Sequence, residues 1–245
     1  MLKKRIIPIL QYIDHTAVKT KKFENPRNVG NLLQFTKVFN IRKSDELAII
    51  NLSKKFKNMQ FNYEYLKTIS AECNMPLSIG GSINNLYEIE ELLKIGCDKI
   101  ILGEIFFNNK KLITEIIKTF GAQIIIAAVD INYDNNKYFL NYNKDEKYLD
   151  HIKMLQDENV GEIIITSVHK EGTMQGYDLN FIEKIEKSLI TPILINGGAG
   201  KQEHFNKALG IEKIKGVCAS SVFLFTELTQ NILKRNMPHN IPIRF

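Results

Sequence analysis

Short apolar runs of strand length alternate along the chain with stretches whose apolar residues recur at helical spacing. The runs predict strands at Arg5–Gln11, Leu47–Leu52, Pro76–Ile79, Lys99–Leu102, Ile124–Val129, Glu162–Thr166, Pro192–Ile195 and Gly216–Ala219. Between them, Leu86–Leu93, Leu112–Phe120, Phe181–Leu189 and Leu224–Leu233 show the amphipathic pattern of helices. Gly96 and Gly121 follow two of these as stop signals. Eight strands alternating with helices predict an α/β fold, a (β/α)8 barrel of the TIM type. An open doubly wound sheet is the competing architecture. It calls for a glycine-rich turn after strand one, where this chain has Gln11-Tyr12-Ile13-Asp14. No linker or low-complexity run divides residues 1–245, so a single barrel domain is expected.

The pattern repeats at an offset of 116 residues. Pro76-Leu77-Ser78-Ile79-Gly80-Gly81-Ser82 is echoed by Pro192-Ile193-Leu194-Ile195-Asn196-Gly197-Gly198, and Glu46 by Glu162. Strands one to four map onto five to eight, which predicts two half-barrels, about residues 1–122 and 123–245.

Composition narrows the function classes. The chain is 44% hydrophobic and contains no apolar run long enough to span a bilayer, so no membrane association is expected. The basic-then-apolar start, Met1 to Pro8, is too short for a signal peptide, and a cytoplasmic location is expected. Cys73, Cys97 and Cys218 lack metal-ligand spacing and the five histidines are scattered, so neither metal nor cofactor is expected. A net charge of +6 without interleaved aromatics favours a small anionic substrate over nucleic acid.

Active sites of such barrels lie at the C-terminal strand ends. Asp130 ends strand five there and is the candidate acid/base. Gln11, Asn51, Thr166 and Asn196 end strands one, two, six and seven. Gly197-Gly198 and Ser220-Ser221 supply small-residue turns suited to a phosphate, with Gly172 in Glu171-Gly172-Thr173 closing a third side. In the first half the matching positions are Ser82 and Gly103-Glu104, and a carboxylate there opposes a phosphate, so one phosphate site is expected rather than two. At the opposite end, Arg5, Glu46, Lys99 and Glu162 begin strands one, two, four and six, and alternate in sign as a closed ring of ion pairs would require.

These residues resemble the cyclase subunit of imidazole glycerol phosphate synthase, the HisF family. The resemblance covers the whole chain, from Lys4-Arg5-Ile6-Ile7-Pro8 to Ile241-Pro242-Ile243-Arg244. It includes Phe23-Glu24-Asn25, Gly121-Ala122-Gln123, Glu162 to Ser167, Glu171-Gly172-Thr173, Gly176-Tyr177-Asp178, Gly197 to Gly200 and Ala219 to Phe223. It implies a heterodimer with a HisH-like glutaminase docked at the barrel bottom. Ammonia released there would pass the gate Arg5, Glu46, Lys99 and Glu162 to reach a phosphorylated substrate at the top. By the same resemblance Asp98 meets the glutaminase and Lys19 belongs to the mobile first loop.

Three departures are visible. The family's aspartate on strand one is here Gln11, its aspartate on strand two is Asn51, and its first-half phosphate site is here Ser82, Gly103 and Glu104. They suggest a divergent relative that delivers ammonia to another substrate. An example is an acetamido sugar converted to acetamidino in surface polysaccharide biosynthesis, with a third, ligase-like protein. In that reading Asp130, Gln11 and Lys19 carry the catalytic roles, with Gln11 holding an amide. The alternative is the ordinary histidine-pathway cyclase, and a non-catalytic activator of a glutaminase is a third reading.

Overall fold

A computed structural model describes residues 3–244. Eight parallel strands close on themselves: β1 (Arg5–Ile13), β2 (Leu47–Asn51), β3 (Leu77–Gly80), β4 (Lys99–Leu102), β5 (Ile125–Asp134), β6 (Glu162–Ser167), β7 (Ile193–Asn196) and β8 (Ile214–Ala219). Each pairs with its neighbours in sequence, and β8 returns to β1 with Arg5 opposite Gly216 and Pro8 opposite Ala219. Closure leaves no free edge, which excludes the doubly wound sheet and establishes the (β/α)8 barrel.

The alternation within each strand builds two cores. Leu10, Ile49, Ile79, Ile100, Ile125, Ile163, Ile193 and Val217 face outward and pack under the helices. Their neighbours Ile9, Ala48, Ile101, Ile126, Ile164, Leu194 and Cys218 turn inward with Ile7 and fill the barrel as a separate apolar cluster. The interior is therefore largely apolar between its two ends, with the buried Ser78 facing in beside Ala48, and most polar groups collect at the mouth and at the floor.

Two additions lie outside the strand–helix alternation. A hairpin, Thr16–Lys21 with Glu24–Asn31, continues β1 through the tight turn at Asp14-His15 and pairs antiparallel with it, Gln11 opposite Val18. A short strand, Lys137–Leu140, folds back on the end of β5. The helical stretch expected at Leu224–Leu233 is instead two helices, Ser221–Phe225 and Gln230–Arg235. Thr226 breaks the run: its hydroxyl donates to the Val222 carbonyl at 2.6 Å and accepts from the Leu228 N–H at 3.1 Å.

Buried charges fasten the bottom of the barrel. Lys4 donates to the Leu209 and Ile211 carbonyls, both at 2.6 Å, capping helix Gln202–Gly210. Lys234 meets Asp45 at 2.6 Å, and Asp45 also accepts from the Ile6 N–H at 3.0 Å. Among the described residues no helix is long and apolar enough to cross a membrane, and no cluster of metal-ligating side chains occurs.

Candidate active site

At the mouth, the ends of β6, β7 and β8 converge on one pocket of about 260 Å³. Gly172, Asn196, Gly197, Gly198, Ser220 and Ser221 all line it, together with Lys19 from the hairpin. Gly197 follows β7 directly at φ +96°, and a Cβ there would lie 2.7 Å from the Ser167 carbonyl. Gly198 at φ +101° lies so close to Gly176 that a Cβ would sit 2.1 Å from its carbonyl oxygen. Only glycine tolerates both the left-handed backbone and the contact. The Ser220 hydroxyl is buried and lacks a protein partner. Small residues, bare backbone, one unpaired hydroxyl and an ammonium make a polar cup suited to phosphate oxygens.

Lys19 is buried, and that burial pushes its ammonium down to about 8. It pairs with Glu171 and donates to the Thr20 carbonyl at 2.6 Å. Glu171 also accepts from the Phe23 N–H at 3.2 Å, and its carbonyl accepts from the Lys22 N–H at 3.1 Å. The hairpin thus lies folded over the mouth, held by the loop after β6. Lys19 is expected from the sequence as a loop contact; its partner Glu171, quoted there only as part of a loop, is the residue that fixes it.

Asp130 stands within β5, which runs on to Asp134 rather than ending there as the sequence suggests; it is opposite Thr166 in register, and Thr166 stands opposite Asn196. The Asn196 amide donates to the Thr166 hydroxyl at 3.4 Å. Burial pushes the Asp130 carboxyl up to about 6; hydrogen bonding to Thr166 offsets part of this, and the Glu104 carboxylate adds to it. A carboxyl titrating there exchanges protons near neutral pH, as a general acid/base must. The row Asp130, Thr166, Asn196 connects it to the phosphate-shaped pocket.

Two sequence candidates have other contacts. The Gln11 side-chain oxygen is occupied by Thr20, whose N–H and hydroxyl donate to it at 3.0 and 2.9 Å. It anchors the hairpin, and that oxygen is not free to hold a substrate amide in this conformation. Thr20 is a contributor that sequence reasoning missed. Asn51 is buried and accepts from the Ser53 N–H at 2.8 Å, so it shapes the turn after β2 and lies outside the pocket lining.

The floor carries the charged residues expected there, in a different arrangement. Arg5 bridges Glu46, at 2.6 Å, and Glu162, and Lys99 reaches the other Glu162 oxygen at 2.7 Å. Among the described residues no ion pair joins Lys99 to Glu46, so the four form an open chain rather than a closed ring. Glu46 has Arg244 at 4.0 Å instead. Arg5, Glu46 and Glu162 line a basin of about 780 Å³ with Lys3, Pro192, Lys215 and Arg244. Asp98 is exposed on the same side, its carboxylate accepting from the Leu77 N–H at 2.8 Å.

Comparison with known proteins fits this geometry. A family model described as histidine biosynthesis protein matches residues 5–229. The imidazole glycerol phosphate synthase subunit HisF of Bacteroides thetaiotaomicron is 34% identical over 233 residues, 93% of either chain. The subunit of that name from Azobacteroides pseudotrichonymphae is 33% identical over 240 residues, 96% of this chain and 95% of the relative. That of Staphylococcus saprophyticus is 31% identical over the full length of both chains.

Proposed function

The chain belongs to the HisF family of histidine biosynthesis proteins, and on that premise we propose that it is the synthase subunit of a glutamine-dependent ammonia-transfer complex. A HisH-like glutaminase would dock on the floor around Asp98 and the charged basin, and ammonia would travel through the apolar barrel to a phosphorylated substrate at the mouth. One observation carries this reading: the charged chain Glu46–Arg5–Glu162–Lys99 and the cup at Gly198, Ser220 and Ser221 close opposite ends of a single apolar barrel. Ammonia as the neutral molecule crosses an apolar interior more readily than ammonium does.

At the mouth the cup holds the substrate's phosphate through backbone N–H groups, the Ser220 and Ser221 hydroxyls and Lys19. Ammonia attacks an electrophilic carbon of the bound substrate. Asp130, titrating near 6, takes the proton that the new bond releases and returns it to the departing group. Gln11, with its oxygen committed to Thr20, cannot replace a second acid. This contact supports a substrate outside the histidine pathway. A carbonyl carbon already activated by a ligase-like partner, as in conversion of an acetamido sugar to acetamidino, needs only one acid/base.

The second reading, imidazole glycerol phosphate formation itself, is favoured by the relatives named above, which match over nearly their whole length. Complementation separates the two. A histidine auxotroph lacking its cyclase subunit is given this chain together with a HisH glutaminase. No growth without histidine is expected, and robust growth establishes the histidine-pathway reading.

A further inference from the structure

The floor of the barrel holds more cation than it pairs. The basin of about 780 Å³ lies over the starts of β6, β8, β1 and β2, where Glu162, Lys215, Arg5 and Glu46 line it with Lys3 and Arg244. Its two carboxylates are already neutralised within the chain, Glu162 by Arg5 and Lys99, and Glu46 by Arg5 at 2.6 Å. Three cations are left over. Lys3 is exposed and has no ion pair among the described residues. Lys215 donates to the Glu212 carbonyl at 2.9 Å, and Arg244 reaches a carboxylate only at 4.0 Å, that of Glu46.

The surplus is one-sided. Asp98, exposed on the same face, lies just before β4, and β4 stands across the closed barrel from β8 and its Lys215. One face therefore carries a carboxylate on one side and a cationic basin on the other. Apolar side chains flank the basin. Ile41 and Ile190 are 81% and 80% exposed, more than any other large apolar side chain among the described residues. Ile190 precedes the basin residue Pro192, and Ile41 ends the helix Leu32–Ile41 that returns the chain to β2.

We infer that the basin is a second docking point, across the floor from Asp98, that receives an acidic segment of the glutaminase between Ile41 and Ile190. The inference rests on the reading of the floor as the glutaminase's face. It gives the partner a polarity: a cation for Asp98 and a carboxylate for Lys3, Lys215 and Arg244. A partner turned half a revolution about the barrel axis would bring like charges together, so the two points fix its orientation.

Carbodiimide coupling, which joins a carboxylate to a lysine in contact with it, tests this on the full chain mixed with a HisH-like glutaminase from the same organism. Mass spectrometry is expected to find Lys3 or Lys215 joined to an aspartate or glutamate of the glutaminase. Lys215→Glu should weaken the complex about tenfold and flatten its salt dependence, while Lys57→Glu, the same change of charge at the mouth, leaves both unaltered. A complex that forms without cross-links at Lys3 or Lys215, or one indifferent to Lys215→Glu, overturns the inference and leaves the glutaminase reading standing. No complex at all removes that reading and the inference with it. Dimerisation of the chain alone, abolished by Lys215→Glu, gives the basin to a second copy and likewise overturns it.

Discussion

The side-chain oxygen of Gln11 accepts two hydrogen bonds from one residue, Thr20, at 3.0 Å from its N–H and 2.9 Å from its hydroxyl. Both residues are buried, and through them β1 grips the hairpin that covers the mouth. Gln11→Ala removes the acceptor and leaves the Thr20 N–H without a partner. A loss of roughly 1–3 kcal/mol is expected by urea denaturation, the cost of a buried unsatisfied donor. Limited proteolysis should also cut within residues 16–31 earlier than in the unmodified chain. An unchanged midpoint and cleavage pattern would show that the hairpin is held by its backbone pairing with β1 and by Glu171, without help from Gln11.

Asp130 predicts an unusual pH response. Its ordinary value is 3.8, and burial pushes it up to about 6 in the folded chain. Between these values the folded state binds the proton more tightly than the unfolded state, so this group's contribution to stability falls as pH rises from about 4 to 6. Asp130→Asn should therefore abolish ammonia-dependent turnover and yet stabilise the fold at pH 7 by roughly 1 kcal/mol, with the gain vanishing at pH 4. Denaturation midpoints at the two pH values check it; a destabilised Asp130→Asn at pH 7 contradicts the assignment.

The barrel was legible because each strand is a compact apolar run and the chain states the pattern twice. Gly81 and Gly197, Ser82 and Gly198, and Glu104 and Ser220 occupy matched places in the structure as in the sequence. The hairpin was not legible: Glu24–Asn31 is mostly exposed on both faces, so it carries no alternation and reads as a loop. Nor was the pairing of Lys234 with Asp45, or the capping of Leu209 by Lys4, since these join residues far apart in the chain. The role of Gln11 was hidden for a simpler reason. An amide at a strand end reads as a substrate contact until the donor folded onto it is seen.

Lys19 lines the phosphate-shaped pocket with its ammonium pushed down to about 8 by burial. Above that pH it increasingly arrives neutral and ceases to attract an anion. The part of phosphate affinity that Lys19 supplies is expected to be nearly full at pH 7, half lost by about pH 8 and gone by about pH 9.5. In Lys19→Met the affinity should be roughly 10–100-fold lower at pH 7, the worth of one charge-assisted hydrogen bond, and the fall around pH 8 should disappear. A Lys19→Met variant that keeps the pH step assigns it to another group.

Gly198 and Gly210 make a matched pair of tests. At Gly198 an alanine Cβ would lie 2.1 Å from the Gly176 carbonyl, on a backbone at φ +101°. Gly198→Ala must displace the Gly176–Gly198 contact, where the Gly176 N–H donates to the Gly198 carbonyl at 2.6 Å. It should cost about 1–3 kcal/mol and abolish phosphate binding. At Gly210 a Cβ meets nothing within 4 Å, so Gly210→Ala should be neutral or stabilise by up to about 1 kcal/mol. Phosphate binding by Gly198→Ala at the unmodified affinity would move the site elsewhere.

The open chain of charges on the floor predicts unequal costs for its two cations. Arg5 alone joins Glu46 to Glu162, and the side chains of both carboxylates are nearly buried, 7% and 10% exposed. Arg5→Met strands Glu46, leaving it, among the described residues, Arg244 at 4.0 Å, and should cost about 3–5 kcal/mol. Lys99 sits at the end of the chain, 27% exposed, and without it Glu162 still has Arg5. Lys99→Met should therefore cost no more than about 1 kcal/mol. Glu162 is held below its ordinary 4.5 in spite of burial, chiefly by Arg5 and then by Lys99. Its stabilising contribution is present above pH 4.5 and is lost as pH falls through the depressed value. The acid limb of stability against pH should be shallower in Arg5→Met than in Lys99→Met. A closed ring predicts the opposite, equal costs and equal limbs, so urea denaturation of the two variants from pH 3 to 7 decides between the arrangements.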